Sequence, residues 1–221
     1  MATCYECGAK RNAGPCAACG VPVEAADVTG APRGKILIAT DFHGHGDPEG
    51  FHIHGGPSHT RLAGPPIELG MDQPGAEGFV QLVSTKEEHG SVEVAVSARF
   101  TVAPNGGDHV SWGLSLRECW IGEYVVRISW TGAYSVMSYQ SNGPDEVHVP
   151  WTAHPAIVAG VGPRNRLRVA MSGDTMRVFI NGVQVQAIGA RLLERGKMHV
   201  ITAPHGHSVH VALSMLEVRK T

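Results

Sequence analysis

The chain has 221 residues, of which 43% are hydrophobic and 17% charged, and its formal net charge is -2. This composition excludes a disordered chain, and the near-neutral charge argues against a nucleic-acid binder that works by neutralising phosphates. We find no apolar run of about 18 residues, as a membrane span needs, and therefore expect no membrane partner. The 28 glycines and 14 prolines separate short β-rich runs, which is typical of a strand-and-turn protein.

Four of the five cysteines, Cys4, Cys7, Cys16 and Cys19, form two copies of the spacing C-x-x-C-G. Two thiolates three residues apart can hold one tetrahedral ion, and the glycine after each pair permits a positive φ that turns backbone amides toward sulfur. Two disulfides or a redox-active pair are the alternatives, but a redox motif need not be duplicated. The spacing predicts one structural zinc ion, and because all four ligand positions are filled, no catalysis at this metal.

This segment resembles the short zinc ribbons at the N-terminus of many bacterial cytoplasmic proteins, in which C-x-x-C-G recurs after a brief polar hairpin. We therefore predict a ribbon over residues 1–22, a linker containing Pro and Gly over 23–33, and one large domain over 34–221. The chain opens directly into the cysteine motif, without a charged-then-apolar leader. Together with the need for reduced thiolates, this predicts a cytoplasmic protein.

Histidines are concentrated between residues 43 and 59, where His43 and His45 form one H-x-H pair, and His52 and His54 form another. In an extended strand, residues i and i+2 project to the same face, and a hairpin turning at residues 47–50 would bring the two pairs together. The alternatives are a second metal site at these four histidines and a solvated Gly/His loop. A set near the C-terminus, made of His205, His207 and His210, repeats the spacing and leaves the same two alternatives.

Apolar and polar residues alternate from residue 91 onward, with one apolar face made of Val92, Val94, Val96, Ala98, Phe100 and Val102. Similar runs recur at residues 110–116, 124–130, 134–139, 167–171, 176–180, 183–185, 198–202 and 209–218. The pair Asn181-Gly182 between two runs predicts a type I′ hairpin turn, and only residues 187–195 resemble a helix. Short antiparallel strands with one buried face predict an all-β fold of two packed sheets, a sandwich or jelly roll.

Three segments carry a resemblance over roughly residues 78–219: W-x-x-x-P-A-I from Trp151, N-x-L-R-V from Asn165, and the hairpin that ends in Asn181-Gly182. They are similar to the concanavalin A-like, laminin G-like jelly rolls of bacteria. The resemblance implies a two-sheet antiparallel jelly-roll sandwich with Trp151 plugging its interior. Members of this superfamily bind glycans, act as sensor or adhesion modules, or, in one branch, cleave 3-keto-disaccharides, so the fold does not choose a function.

Few residues of the large domain point to a reaction. The sandwich β-glucanases carry their carboxylates as E-x-D-x-x-E on one strand, and this chain has no such triplet. Glu118 and Glu123 are therefore interpreted as solvated strand-end residues. Three tryptophans, Trp112, Trp120 and Trp130, are either core residues or a platform on which a sugar stacks.

The leading hypothesis from the sequence is a non-enzymatic recognition module that binds a glycan or a protein partner, with the ribbon as a second contact surface. One alternative is a metal-dependent or 3-keto-glycoside-type hydrolase that uses the histidines between His43 and His59. Another is a structural or assembly protein that forms a homo-oligomer. We expect no nucleic-acid partner.

Overall fold

The computed structural model describes residues 90–221 and, before them, six short strands at residues 2–3, 10–11, 36–40, 51–55, 67–71 and 80–84. In chain order the strands are β1 Ala2–Thr3, β2 Lys10–Arg11, β3 Ile36–Thr40, β4 Phe51–Gly55, β5 Ile67–Met71, β6 Val80–Ser84, β7 Val92–Phe100, β8 Ser111–Cys119, β9 Gly122–Ser129, β10 Ala133–Gln140, β11 Glu146–Ala153, β12 Arg164–Ser172, β13 Thr175–Ile180, β14 Val183–Gly189, β15 Lys197–Ala203 and β16 Val209–Lys220.

Within these residues the strands from β3 onward form two seven-stranded antiparallel sheets. The front sheet has the order β11-β10-β9-β8-β15-β6-β4, and the back sheet has the order β14-β13-β12-β7-β16-β3, with β5 also pairing β16. The described residues contain no helix, so the predicted all-β class with two packed antiparallel sheets is confirmed.

The core lies between the two sheets and follows from the alternation of apolar residues along each strand. The front sheet contributes Trp112, Leu114, Leu116, Tyr124, Val126 and Ile128, and the back sheet contributes Val94, Val96, Leu167, Val169, Val178 and Leu213. Burial of one such side chain stabilises the fold by about 1.5–3 kcal/mol. Val102, which the alternation assigned to the same face, lies beyond the end of β7 and is exposed.

Each apolar run predicted between residues 92 and 218 coincides with a strand, and most strands extend beyond the run. The helix predicted at 187–195 is wrong, because β14 continues to Gly189 and pairs with β13 as far as Thr175. The sequence also did not indicate β11, whose residues are mostly exposed at the edge of the front sheet and therefore lack the apolar alternation.

Two asparagines fix the loop that follows β11. Asn181 has φ +49° and begins the predicted turn, and its side chain donates hydrogen bonds to the carbonyl of Ala156 and to Oδ1 of Asn165, each at 2.8 Å. Asn165 in turn pairs its amide with both backbone groups of Val158. The motifs N-x-L-R-V and N-G therefore hold residues 154–162 against the back sheet.

Several features predicted in the N-terminal third lie outside the described residues. The four cysteines of the ribbon are among them, as are His43, His45 and the linker over 23–33. The short strands β1 and β2 are described, and they pair antiparallel with Thr3 opposite Lys10. In the part of the chain that the structure describes, no helix is long and apolar enough to cross a membrane.

Candidate functional site

The outer face of the front sheet, the side turned away from the back sheet, carries an unusual row of side chains. In register across β10, β9, β8 and β15 lie Ser135, Arg127, Gly113 and Ile201. Directly opposed residues of antiparallel strands project to the same side, and the alternate residues of β9, Val126 and Ile128, belong to the core. The row therefore lies on the outer face.

Arg127 is the central residue of this row and is only 6% exposed. Its Nη1 lies 3.2 Å from Nε2 of His205, and its Nη2 lies 3.2 Å from the sulfur of Met137 and 3.3 Å from the hydroxyl of Tyr139. Its Nε is buried and has no hydrogen-bond partner among the described residues. A guanidinium is charged at every physiological pH, so the outer face holds a desolvated positive charge among neutral groups.

An aromatic pair covers this guanidinium. The ring centroid of Trp151 in β11 lies 5.3 Å from Cζ of Arg127, within the range of a cation–π contact. The imidazole of His109 stacks on the indole at a centroid distance of 5.0 Å and an interplanar angle of 7°. His109 is exposed and Trp151 is half-buried, so the pair presents aromatic surface to solvent beside Arg127. Trp151 therefore does not plug the interior of the sandwich, and that prediction is wrong.

His205 reaches Arg127 from the turn between β15 and β16. It has φ +49°, and Gly206 after it has φ +83°, a geometry that folds the turn back over the end of the sheet. Although the turn is exposed, partial burial of the ring lowers the pKa of His205, and the nearby cation Arg127 and the rings of His109 and His207 lower it further. A neutral imidazole can accept the hydrogen bond from Nη1 of Arg127 at Nε2.

A second polar cluster lies on the same face toward the turn between β8 and β9. The hydroxyl of Ser115 donates a hydrogen bond to the carboxylate of Glu123, and Nε2 of His199 lies 3.3 Å from Oε2 of Glu118. Burial raises the pKa of Glu123 and the nearby Glu118 adds to the rise, whereas the Ser115 hydrogen bond and the charge of Arg127 oppose it. The interpretation of these two glutamates as isolated solvated residues is thus wrong, because the structure brings them close enough to interact.

A bulge in β8 explains how Glu118 reaches the outer face. Arg117 has φ +53°, and the pairing of β8 with β9 shifts register between Leu116 and Cys119. The shift directs the Arg117 side chain to the edge of the core, where it donates hydrogen bonds to the carbonyls of Gly90, Gly173, Ala190 and Leu193. Cys119, at the end of the bulge, is a partly buried free thiol packed against the core.

The three tryptophans predicted from sequence do not form one platform. Trp112 is completely buried in the core and cannot stack on a sugar. Trp120 is 82% exposed in the turn between β8 and β9, whereas Trp130 follows the opposite end of β9, half-buried, and donates from Nε1 to the carbonyl of Gly107 at 3.0 Å. Sugar binding by Trp120 or Trp130 alone stays a prediction.

The predicted second metal site is only half within the described residues. His52 and His54 lie on β4, opposite residues 83 and 81 of β6, which oppose residues 199 and 201 of β15. The strand that carries both histidines therefore lies at the far edge of the front sheet. His43 and His45 lie outside the described residues, so their convergence with His52 and His54 on a metal ion stays a prediction.

The C-terminal histidines do not form the site that their spacing allowed. His205 contacts Arg127, His207 lies 3.3 Å from Oδ1 of Asn105, and His210 belongs to β16. Among the described residues, no group of three metal-ligating side chains comes together. The set His205, His207 and His210 is therefore not a metal site.

Sequence reasoning did not select Arg127, Trp151 or His109 as site residues. The one available signal was an arginine in the middle of the apolar run of β9, between Val126 and Ile128. Lys and Arg are almost never fully buried unless they are paired, and such an arginine is informative once the strand is known to be internal to its sheet. Chain spacing cannot show, however, that residues 109, 127, 151 and 205 meet, because they come from four separate elements.

No protein-family model and no curated protein sequence matches the chain. Solved structures do match it in fold. A Bacillus subtilis protein of unknown function with a galectin-like fold has a TM-score of 0.62 and 9% identity, over 86% of this chain and 99% of its own. The carbohydrate binding module CBM66 from Bacillus subtilis has a TM-score of 0.55 and 11% identity, over 75% and 94%. The Bacillus licheniformis β-glucanase has a TM-score of 0.58 and 8% identity, over 83% and 98%. These similarities identify the fold as a concanavalin A-like, galectin-like jelly roll.

Proposed function

We propose that this chain is a glycan-recognition module that binds its ligand on the outer face of the front sheet. The observation that carries the proposal is the aromatic pair Trp151–His109 beside Arg127, which presents a half-exposed ring system next to buried polar groups. Sugar sites commonly combine an aromatic face with a few fixed hydrogen-bonding groups. The likeness to a carbohydrate-binding module and to a glucanase supports glycan as the kind of partner.

In this proposal each group has a separate role. Trp151 offers to the apolar side of a pyranose the part of its half-buried indole that His109 and Arg127 leave uncovered, and the stacked His109 holds the indole plane. Tyr139 and His205, both within hydrogen-bond distance of Arg127, direct polar groups to sugar hydroxyls. Arg127, Tyr139 and Trp151 stand on strands and His205 on a tight turn, so little ordering entropy is lost for these groups on binding, whereas His109 lies in the connection between β7 and β8.

The test is a glycan array probed with the full chain, followed by titration calorimetry with each hit. Trp151→Ala is expected to weaken binding about tenfold or more, because a stacking contact of this kind contributes about 1 kcal/mol beyond its buried area. Val183→Ala, which removes an exposed apolar side chain from the edge of the back sheet, serves as the control. A loss for Trp120→Ala in place of Trp151→Ala would move the site to the turn between β8 and β9 and overturn the proposal.

The N-terminal segment enters the same proposal as a zinc ribbon in which Cys4, Cys7, Cys16 and Cys19 hold one structural ion and offer a second contact surface. We place the protein in the cytoplasm, where such thiolates stay reduced, and propose a protein partner or a second copy of the chain for the ribbon. Metal analysis of the full chain and of a double variant, Cys4→Ser with Cys7→Ser, tests the ion. One zinc lost in the variant supports the ribbon, and a second retained ion points to the histidine pairs.

A hydrolase is the second candidate, and the observation that favours it is the pair of Glu118 and Glu123 on the same face as Trp151. A carboxyl group with a raised pKa suits a proton donor, and a neighbouring carboxylate suits a base or nucleophile. The metal-dependent form that uses the residues from His43 to His59 remains part of this alternative. Release of reducing sugar from a bound glycan, abolished by Glu123→Gln while binding persists, would favour the hydrolase over the binding module.

A further inference from the structure

The charge of Arg127 has no anionic partner among the residues that the structure describes. Its polar side-chain contacts are an imidazole, a thioether and a phenol hydroxyl, and the indole of Trp151 adds a cation–π contact, so all of these groups are neutral. Nη1 carries two N–H groups and bonds one neighbour, and Nε bonds none. Burial of a charge costs several kcal/mol unless it is paired, so this arrangement is unfavourable for the folded protein alone.

The acid on the same strand interacts with this charge but does not form an ion pair with it. Glu123 lies four residues before Arg127 on β9, accepts its hydrogen bond from Ser115, and forms no ion pair with Arg127. Burial raises the pKa of Glu123, and the charge of Arg127 opposes this rise only in part. The other carboxylate of the face, Glu118, contacts His199 instead.

Arg117, on the adjacent strand, shows what a compensated arginine looks like in this fold. It is 3% exposed, comparable to Arg127 at 6%, but its guanidinium donates hydrogen bonds to four backbone carbonyls. These carbonyl oxygens stabilise the cation, and the nearby Asp174 and Glu194 add to the effect. Arg127 has no carbonyl partner among the described residues. An ion-pair partner for its charge would therefore have to come from a bound ligand.

The residues around the guanidinium are partly exposed to solvent. His205 and His109 are exposed, and Tyr139 and Trp151 are half-buried around the guanidinium. A small planar anion that entered between them would reach the second N–H of Nη1 and would face a cation already flanked by an aromatic ring. The hydroxyl of Ser135, which is opposite Arg127 in register, is buried and also lacks a partner among the described residues.

We infer that the glycan bound on this face carries a carboxylate, as uronic acids do, and that this carboxylate pairs with Arg127 while its pyranose ring stacks on Trp151. This inference rests on the proposed glycan-binding function and narrows it to acidic sugars. A planar, delocalised guanidinium matches the geometry of a carboxylate, and both charges are desolvated in the complex, where the pair is strong.

The experiment compares acidic oligosaccharides with their own neutral forms. Tetramers of galacturonate, mannuronate and guluronate, and a glucuronate-bearing xylan oligosaccharide, are titrated into the full chain beside their methyl esters, with a sulfated neutral tetramer as a further arm. At least one free acid is expected to bind about tenfold or more tightly than its ester, and the difference is expected to shrink in about 0.5 M NaCl, roughly three times the physiological level.

Variants assign the preference to Arg127. Arg127→Met is expected to bind acid and ester equally, and Arg127→Lys to keep part of the preference because it keeps the charge without the planar fork. Arg177→Met, which removes an exposed arginine from the back sheet, is expected to keep the full preference. Near-ultraviolet circular dichroism of each variant establishes that it is folded before titration.

Each outcome tests either the preference for acidic sugars or the proposed glycan binding itself. Equal binding of acid and ester by the wild-type chain overturns the inference and leaves glycan recognition standing. A preference that survives in Arg127→Met also overturns it, as does tighter binding of the sulfated tetramer than of any uronate. Absence of binding to every oligosaccharide on the array and in this set overturns the proposed function together with the inference.

Discussion

Arg117 and Arg127 lie on adjacent strands of one hairpin, both almost completely buried, and serve opposite sides of the front sheet. Arg117 links four backbone carbonyls of the surrounding turns, whereas Arg127 meets only neutral side chains. The hydrogen bonds of Arg117 stabilise the fold. The positive charge of Arg127 lacks an ion-pair partner among the described residues and lies on the outer face of the front sheet.

The two arginines should therefore respond differently to the same substitution. Arg117→Met is expected to lower the free energy of unfolding by about 3–5 kcal/mol, because it leaves several buried carbonyls without a donor. Arg127→Met is expected to change it by less than about 1 kcal/mol or to raise it, because a poorly compensated buried charge is removed beside Met137. Urea denaturation of the two variants and the wild type measures both effects. Comparable destabilisation by both substitutions would contradict the interpretation of Arg127 as a group held for a ligand.

Asn181 should be the most sensitive residue of the hairpin between β13 and β14. Asn181→Ala removes hydrogen bonds to Ala156 and Asn165 and also replaces a residue that tolerates φ +49° by one that tolerates it less well, so about 2–4 kcal/mol of stability should be lost. Asn181→Gly tolerates the positive φ and loses only the hydrogen bonds, so it should lose less. Thermal melts of the two variants measure the difference. If Asn181→Gly were the less stable of the two, backbone strain would not contribute as described.

Most of the fold was accessible from the sequence because core strands repeat a physical signal. Val92, Val94 and Val96 alternate with polar residues because one side of β7 faces the interior, and Asn181-Gly182 is one of few pairs that accept two positive φ angles. Strand β11 lacks the alternation of apolar and polar residues because it lies at a sheet edge with Val147 exposed. Only its pairing with β10 defines it as a strand.

Glu123 should make stability depend on pH. Its folded pKa is raised above the ordinary value of 4.5, so the folded state holds a proton that the unfolded state releases, and stability is lost as pH rises through the folded pKa. Glu123→Gln removes this loss. The variant is expected to melt at a higher temperature than the wild type at about pH 7.5, with the difference vanishing below about pH 4.

A matched control for this measurement is Glu146→Gln, which changes an exposed carboxylate at the start of β11. It should leave the melting temperature nearly unchanged at both pH values. A Glu123→Gln variant that melted below the wild type at the higher pH would mean that the Ser115 hydrogen bond outweighs the cost of burial.

His205 should couple binding to protons. Burial, the charge of Arg127 and the nearby rings of His109 and His207 lower its pKa, so the imidazole is neutral in the free protein near neutral pH. A carboxylate bound at Arg127 favours the protonated imidazole and raises this pKa. Binding therefore takes up a proton, and affinity for a uronate is expected to rise as pH falls from about 8 to about 5.5.

Calorimetry in two buffers with different ionisation enthalpies measures the proton uptake directly. His205→Gln should keep the preference for the acid and lose its pH dependence, whereas Glu146→Gln should keep both. An unchanged pH profile in His205→Gln would assign the proton to another group.

The candidate site was less predictable than the fold, for a physical reason. His109, Arg127, Trp151 and His205 come from two turns and two strands, and they meet only because β15, β8, β9, β10 and β11 pair side by side in the front sheet. The predicted sugar-stacking platform included Trp112, which lies on the core side of its strand. The spacing of residues along a strand does not by itself show which face of the strand is buried.

Gly113 faces Arg127 across the pairing of β8 with β9, and a β-carbon added there would lie 1.9 Å from the carbonyl oxygen of Val126 and 2.8 Å from the Cα of Arg127. The two strands approach each other at the site because this position has no side chain. A residue with no functional group thus sets the position of the guanidinium. Gly113 has no side chain that could contact a ligand, yet a larger residue at this position would displace the backbone of Arg127.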